Sequence, residues 1–142
     1  EAQTWKIPVV TTGKKPTKAK YTQMDGKNAE NEDWLVTPEL DLTGMSEATL
    51  TFESQFTTAV PEEFQKQYTV LVSSTGDIAK AEDWTELPVI PYDSTTFTTA
   101  TTSLPTEMIG KKCYIAWKYT CQETSHVWQL RNVVVKAMTK VD

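Results

Sequence analysis

The stretch Ala48-Thr49-Leu50-Thr51-Phe52-Glu53-Ser54-Gln55-Phe56 alternates between two kinds of side chain. Successive side chains of a β-strand point to opposite faces, so this spacing predicts one strand with two different faces. The face that begins at Ala48 is predicted to lie on a core, and the face that begins at Thr49 is predicted to meet water. A strand of this kind is typical of an antiparallel sheet with one covered side.

The same alternation occurs in residues 68–73 and again in residues 113–121. In the first of these, Leu71 makes both faces apolar, which is expected near the centre of a sheet. In the second, Trp117 belongs to the apolar face and Lys118 to the polar face. Both stretches therefore predict strands that pack on the same core.

The last apolar stretch, from about residue 127 to 137, changes phase along its length. Trp128 and Leu130 fit one face, whereas Val133 and Val135 fit the other. One extra residue in a strand reverses the faces that follow it, so we expect a β-bulge near Arg131-Asn132.

Weaker strand signals surround these four. Residues 95–102 hold six threonines and predict an exposed or edge strand. Residues 5–10 predict an edge strand, because Pro8 cannot donate to a central ladder. Residues 20–24 alternate and predict one more strand. The one helical signal is a single turn over residues 78–82, with Asp77 as its N-cap.

These signals together predict an all-β protein. The chain has 142 residues, of which 24 are threonine, and it offers no helices to connect parallel strands. We therefore expect an antiparallel β-sandwich of the jelly-roll type with at most one short helical turn. One domain over residues 1–142 is expected, with residues 1–31 as a less regular segment packed on it.

Charge and composition exclude some classes of partner. The chain carries 19 acidic and 14 basic side chains, a net charge of −5, so nucleic acid is not an expected partner despite the basic run at residues 14–18. No apolar run is long enough to span a membrane. Residues 1–4 show no export signal, so such a signal is expected to have been removed or never present. Cys113 and Cys121 are eight residues apart in one predicted strand, too far to form a disulfide unless that strand bends sharply between them.

Six segments, taken in order, resemble the cleaved-adhesin and choice-of-anchor-J domains found in surface and secreted proteins of Bacteroidetes. They span about three quarters of the chain and read Glu32-Asp33-Trp34-Leu35-Val36-Thr37-Pro38-Glu39-Leu40-Asp41-Leu42, Ala48-Thr49-Leu50-Thr51-Phe52-Glu53, Tyr68-Thr69-Val70-Leu71-Val72-Ser73-Ser74-Thr75-Gly76-Asp77, Trp84-Thr85-Glu86-Leu87, Tyr114-Ile115-Ala116-Trp117-Lys118-Tyr119 and Trp128-Gln129-Leu130-Arg131-Asn132-Val133-Val134-Val135.

The resemblance implies an extracytoplasmic jelly roll, secreted or on the cell surface, often on a lipoprotein or beside a glycan-degrading enzyme. Its usual inferred role is binding or adhesion, and many members have no assigned function. Relatives often hold a structural calcium with an acidic-aromatic first strand and an acidic residue near the closing strand. This chain lacks the former and carries Arg131 near the latter, so the resemblance does not extend to that site.

Catalysis has weak support in the sequence. The chain has one histidine, His126, which is expected in an exposed loop, and no serine or cysteine with a recognisable base partner. A pair of carboxylates suited to glycoside hydrolysis arises by chance among 19 acids. We therefore expect no enzymatic activity, and a small glycan-active hydrolase is the least favoured alternative.

A possible metal site lies in one acidic loop. Asp25, Asn28, Glu30 and Asp33 offer the oxygen ligands that Ca²⁺ prefers, although their spacing is not that of an EF-hand. The alternative interpretation is a solvated turn. No cofactor other than this structural calcium is predicted.

Aromatic residues outside the main strands are the candidates for ligand binding. Trp84, Tyr92, Trp5 and Tyr21 lie in short or loop-adjacent segments, where an exposed ring can stack on a sugar. Trp84 and Tyr92 flank two prolines, so one rigid loop is expected to present both. Three other tryptophans sit in apolar strands and are assigned to the core, namely Trp34, Trp117 and Trp128. The alternative for each candidate is that it fills the core or an edge.

The sequence therefore predicts a non-catalytic module that binds carbohydrate or a host or cell-surface ligand. The alternative is a structural or protein–protein interaction module of a cell-surface lipoprotein that touches no glycan. An aromatic-lined groove would favour the first, and a large exposed apolar patch the second. The oligomeric state is left open.

Overall fold

A computed structural model describes the backbone of residues 5–6, 10–12, 15–17, 22–24, 31–121 and 126–139, and the side chains of residues 32–120 and 126–139. These residues form twelve strands: β1 (Trp5–Lys6), β2 (Val10–Thr12), β3 (Lys15–Thr17), β4 (Thr22–Met24), β5 (Asn31–Val36), β6 (Leu40–Asp41), β7 (Met45–Phe56), β8 (Tyr68–Ser73), β9 (Trp84–Leu87), β10 (Thr98–Ser103), β11 (Lys112–Cys121) and β12 (Trp128–Thr139).

The strands build two antiparallel sheets. The first sheet has the order β1-β4-β12-β7-β10, and the second has the order β5-β11-β8-β9, with β6 beside β11. Strands β2 and β3 form a separate two-stranded hairpin. The pairs β4–β12, β5–β11, β7–β10 and β8–β9 are nested in the chain like brackets, which is the pairing scheme of a jelly roll. The predicted fold class is confirmed.

The core lies between the two sheets and follows the predicted alternation. Every second residue of β7 from Ala48 to Phe56 is buried, and so are the inward residues of β8 and β11. Aromatic rings fill the end of the core at Phe56. Its ring stacks on Trp128 at 5.8 Å between centroids and meets Tyr68 edge-on at 5.0 Å. Such contacts add to the free energy that burial of apolar area supplies.

The predicted bulge in β12 is present. The register between β12 and β7 shifts between Arg131 and Val134, and Asn132 has a φ of 53°. Asparagine tolerates this left-handed conformation better than a β-branched residue does. After the bulge, Val135 lies opposite the buried Leu50, so the apolar phase of the strand returns to the core side.

The edges and turns match the predictions in part. The threonine-rich β10 and the short β1 both lie at edges of the first sheet, as expected. The described residues contain no α-helix and three 3₁₀ turns, at Glu62–Gln67, Ala81–Asp83 and Thr106–Met108. The turn predicted over residues 78–82 lies at Ala81–Asp83, and the other two turns were not predicted. No helix among these residues is long and apolar enough to cross a membrane.

Cys113 is a buried free thiol, which confirms that it does not pair with Cys121. Burial raises the pKa of this thiol, so its reactive thiolate form is disfavoured. The expectation of one domain, with residues 1–31 packed on it, stays a prediction.

Candidate functional site

The outer face of the second sheet carries a pair of tryptophans. In the β5–β11 register Leu35 lies opposite Trp117 and faces the core, whereas Trp34 lies opposite Lys118. Because neighbouring side chains of a strand alternate, Trp34 points outward and is half-buried. This corrects the sequence-based assignment of Trp34 to the core. The core positions predicted for Trp117 and Trp128 are confirmed.

Trp34 packs against Trp84, the first residue of β9. The two ring centroids are 5.1 Å apart and the planes are tilted by 51°. Strands β11 and β8 lie between the two strands that carry these rings. Ala116 of β11 belongs to the residues that point outward, yet its side chain is fully buried. A small side chain here allows the two indoles to meet above the sheet.

The loop that precedes Trp84 fixes the position of its indole ring. Its indole Nε1 donates a hydrogen bond of 3.0 Å to the carbonyl of Asp77. The same loop is tied to β8, because the backbone amides of Thr75 and Gly76 donate to the hydroxyl of Ser73. Trp84 is therefore a fixed support on which Trp34 rests, and only 8% of it is exposed.

Charged groups border the Trp34 ring. The ammonium of Lys118 lies 4.8 Å from the ring centroid, within the range of a cation–π contact. The same ammonium lies 3.4 Å from the Glu32 carboxylate, whose side chain is 58% exposed. An exposed ion pair contributes little to stability, so these groups can exchange partners at low cost.

A second polar group lies along the same face at Tyr114. Its hydroxyl donates a 2.9 Å hydrogen bond to Glu39, and this bond raises the pKa of Tyr114. Lys112 lies 3.6 Å from the other oxygen of Glu39. The Tyr114 ring packs on Gly76, where a Cβ atom would come within 2.7 Å of the ring. The outer face of the second sheet thus joins three aromatic rings to two ion pairs.

The outer face of the first sheet is polar around Glu53. Arg131 forms a 3.1 Å ion pair with Glu53, and Asn132 donates to the other oxygen of the same carboxylate. These hydrogen bonds, that of Asn132 first, lower the pKa of Glu53. The guanidinium of Arg131 stacks on Phe97 at 3.9 Å. The bulge in β12 brings Arg131 and Asn132 to the same acid.

The row beside this cluster consists of amides and hydroxyls. The Gln55 side chain donates to that of Gln129, and the hydroxyls of Thr51 and Thr101 lie 3.4 Å apart. The acid and base of this face bind each other, and the two amides bind each other, so most of its polar groups already have partners.

The structure separates the two residues expected to form one ligand surface. Trp84 is largely buried on the second sheet, which corrects its expected exposure. Tyr92 packs on the end of the core, stacked on Phe56 at 6.2 Å, and donates a 2.7 Å hydrogen bond to the carbonyl of Tyr68. Burial, with a smaller contribution from Glu86, raises the pKa of Tyr92 to about 12. Each ring has a structural role, and a role in ligand binding stays a prediction.

The remaining candidates lie mostly beyond the described residues. The backbone of Trp5 forms β1, but its side chain and all of Tyr21 fall outside them. Of the four proposed calcium ligands, Asp25, Asn28 and Glu30 also fall outside. Asp33 is described, and its carboxylate accepts a 3.1 Å hydrogen bond from the amide of Trp34. In the part of the chain with described side chains, no three acidic, histidine or cysteine residues cluster as metal ligands.

The one histidine is part of the packing at the end of the core. His126 Nδ1 lies 3.2 Å from the Tyr68 hydroxyl, and its ring packs 5.8 Å from Phe64. It is half-buried, which corrects the expected loop exposure, and this burial lowers its pKa. Among the carboxyl groups that the structure describes, those of Asp41 and Glu53 have a clearly shifted pKa, and hydrogen bonds lower it in both. A general acid requires the opposite shift.

Sequence reasoning missed Trp34 as a surface residue because its short apolar strand was assigned to the core as a whole. The available signal was the pairing of this run with the alternating stretch at 113–121. Once Trp117 is assigned to the core, its partner Leu35 must face inward and Trp34 outward.

Comparisons with known proteins concern the fold. No family model and no curated protein matches the chain. Among solved structures, it is similar to the K3 cleaved adhesin domain of Lys-gingipain (Kgp) from Porphyromonas gingivalis w83. The two share 23% identity with a TM-score of 0.49, over 84% of this chain and 74% of that one. Membership of the cleaved-adhesin family therefore stays a prediction from the sequence.

Proposed function

We propose that this chain is a non-catalytic binding module of a secreted or cell-surface protein, and that it binds carbohydrate on the outer face of the second sheet. The observation that carries the proposal is the partly exposed Trp34 ring, fixed by Trp84 and bordered by an ion pair. The sequence resemblance to adhesin domains supports the extracytoplasmic setting.

Sugar recognition combines an apolar ring with hydrogen-bonding groups at its border. Trp34 supplies the ring, and the support from Trp84 reduces the entropy that binding would otherwise cost. Lys118 and Glu32 supply a donor and an acceptor, and their exposed pair can open to sugar hydroxyls.

The test is a glycan array followed by calorimetric titration of the best ligand. Trp34→Ala is expected to weaken binding at least about tenfold, since stacking on an aromatic ring is lost. Trp34→Phe keeps a smaller ring and is expected to retain part of the affinity. Glu32→Gln keeps an acceptor and is expected to change affinity less than Trp34→Ala.

The matched control is Phe97→Ala, which removes a ring from the outer face of the first sheet. It is expected to leave glycan affinity unchanged. Absence of binding to any glycan would contradict the proposal. A loss of binding in Phe97→Ala with no loss in Trp34→Ala would place the site on the other face.

A second candidate is an interaction module that contacts other proteins and no glycan. The observation in its favour is an apolar groove of about 470 Å³ on the side of the sandwich, lined mainly by aliphatic side chains. A chain that binds no glycan but associates through this groove would support the second candidate over the first.

A further inference from the structure

Lys118 lies over the ring to which sugar binding is assigned. Within the second sheet it stands opposite Trp34 of β5 on one side and opposite Thr69 of β8 on the other, so its side chain leaves the same outer face as the indole. Its ammonium lies 4.8 Å from the centroid of the Trp34 ring. A cation is therefore in place at the ring before a ligand binds.

The two members of the ion pair at this ring differ in exposure. The Lys118 side chain is 25% exposed and contacts the ring, whereas the Glu32 side chain is 58% exposed. Within the described residues, Glu32 is the one carboxylate in ion-pair contact with this ammonium, at 3.4 Å. An exposed carboxylate regains its hydration when it leaves an ion pair, but the ammonium would give up its contact with the ring. Glu32 is therefore the member that a ligand displaces more easily.

This asymmetry determines which kind of ligand gains most at the ring. A neutral sugar either leaves Glu32 on the ammonium or replaces a charged acceptor with a weaker neutral one. A basic ligand brings a second positive charge beside Lys118. A sugar that carries a carboxylate can take the place of Glu32 and accept charge-assisted hydrogen bonds from the same ammonium. The ring and the cation together match a sugar with one apolar face and a negative charge at its border.

We propose that the ligand of this surface is a carboxylated carbohydrate, such as a uronic-acid oligosaccharide, and that Lys118 selects it. The inference rests on the proposed carbohydrate binding at Trp34 and adds the class of sugar. In the complex, the sugar ring stacks on the part of the indole that the compact ammonium leaves uncovered. The sugar carboxylate binds Lys118, and Glu32 turns to solvent.

The overall charge of the chain does not favour such a ligand. The sequence has 19 acidic and 14 basic side chains and a net charge of −5, which repels polyanions at long range. The residues in register with Lys118 are uncharged, and so are Ala116 and Thr120, its outward neighbours along β11. A preference for acidic sugars that disappears when Lys118 is replaced is then assigned to this contact and not to the overall charge.

The test starts from an array that carries neutral, sulfated, sialylated and uronic-acid oligosaccharides. The carboxylated oligosaccharide with the strongest signal is then titrated calorimetrically, beside the same oligosaccharide after reduction of its carboxyl groups to alcohols. The acidic form is expected to bind at least about tenfold more tightly, because a charge-assisted hydrogen bond is stronger than a neutral one. Added salt is expected to reduce this difference, since Lys118 is partly exposed.

Substitutions at the ion pair separate selectivity from stacking. Lys118→Met is expected to reduce affinity for the acidic form about tenfold and to change affinity for the reduced form less than about twofold. Lys118→Arg keeps the charge and should retain the preference. Glu32→Gln removes the carboxylate that competes with the sugar, so affinity for the acidic form should rise about threefold. The matched control is Lys136→Met, which removes the same charge from β12 of the first sheet and should change neither affinity.

Far-ultraviolet circular dichroism checks that each variant is folded. Equal affinity for the acidic and reduced forms would overturn the inference, as would an array response limited to neutral or sulfated sugars. Both of these outcomes are compatible with carbohydrate binding at Trp34. A preference for the acidic form that survives Lys118→Met would also overturn the inference. No response to any glycan would contradict the proposed function and the inference with it. Trp34→Ala is expected to weaken binding of both forms alike, so it reports on the ring alone.

Discussion

The two sheets turn different outer faces to solvent, although both follow the same alternation. On the first sheet, Glu53 is bound by Arg131 and Asn132, and the amides of Gln55 and Gln129 bind each other. On the second sheet, Trp34 rests on Trp84 and is bordered by an exposed ion pair. Most polar groups of the first face are bound to one another, whereas the second face presents a partly exposed ring bordered by a single ion pair.

This difference indicates that polar composition alone does not mark a binding face. Polar groups that already bind one another must lose hydrogen bonds before they bind a ligand. A supported aromatic ring with weakly paired charges at its border loses few hydrogen bonds when it binds a ligand. The outer face of the second sheet is therefore the better candidate for a binding surface. Three predictions compare the contacts that stabilise it with those of the first sheet.

The largest effect is expected at the support of the ring pair. Trp84→Ala removes a largely buried indole and its hydrogen bond to Asp77, and should lower the free energy of unfolding by about 3 kcal/mol. Trp34→Ala removes a half-buried ring with a cation–π contact, and should cost about 1 kcal/mol. Urea unfolding measures both values. Equal losses would contradict the assignment of Trp84 as support and Trp34 as ligand surface.

A smaller effect is expected at the glycine beneath Tyr114. Gly76 has a φ of +70°, and a Cβ there would overlap the Tyr114 ring, so Gly76→Ala should cost about 2 kcal/mol. Gly44→Ala is the matched control, because Gly44 has a φ of +82° with no atom within 4 Å of the added Cβ. It should cost about 1 kcal/mol from backbone strain alone. If both variants lose the same stability, the contact of Tyr114 with Gly76 contributes nothing.

The smallest effect is expected at the acid of the first sheet. Glu53→Gln removes the ion pair with Arg131 and should lower the melting temperature slightly at pH 7. The pKa of Glu53 is lowered in the folded protein, so its contribution is present above its ordinary value of 4.5 and is lost as pH falls below that value. The melting curves of variant and parent should therefore converge in acid.

The control for this third prediction is Glu47→Gln on the same strand, where the described residues show no ion pair. It should give a difference from the parent that changes less with pH. A constant difference between Glu53→Gln and the parent from pH 7 to acid would show that the carboxylate is not stabilised by its neighbours.

Much of the fold was predictable from local patterns. The alternation from Ala48 to Phe56 assigned the buried face of β7 correctly, and the phase change in β12 located its bulge. Both signals are strong because one face of each strand is covered, so that a shift by one residue would expose the core. The all-β class followed from the lack of helices to connect parallel strands.

The candidate site was less predictable. Trp84 was selected for its position near a loop, but its burial depends on Trp34, which comes from a strand three places away in the sheet. Tyr92 was selected for the same reason and instead packs on Phe56. Short apolar segments do not reveal which ring meets which, because that depends on the register of strands distant in sequence.

The sequence by itself determined which residues form strands and which side of each strand is apolar, because these follow from the two-residue period of the backbone. Only the tertiary structure decided which outward residues become neighbours. The meeting of Trp34 with Trp84, the binding of Glu53 by Arg131 and Asn132, and the groove beside Val133 all join segments far apart in the chain. The nested order of the strands in the two sheets creates these neighbours, and with them the surfaces proposed for binding.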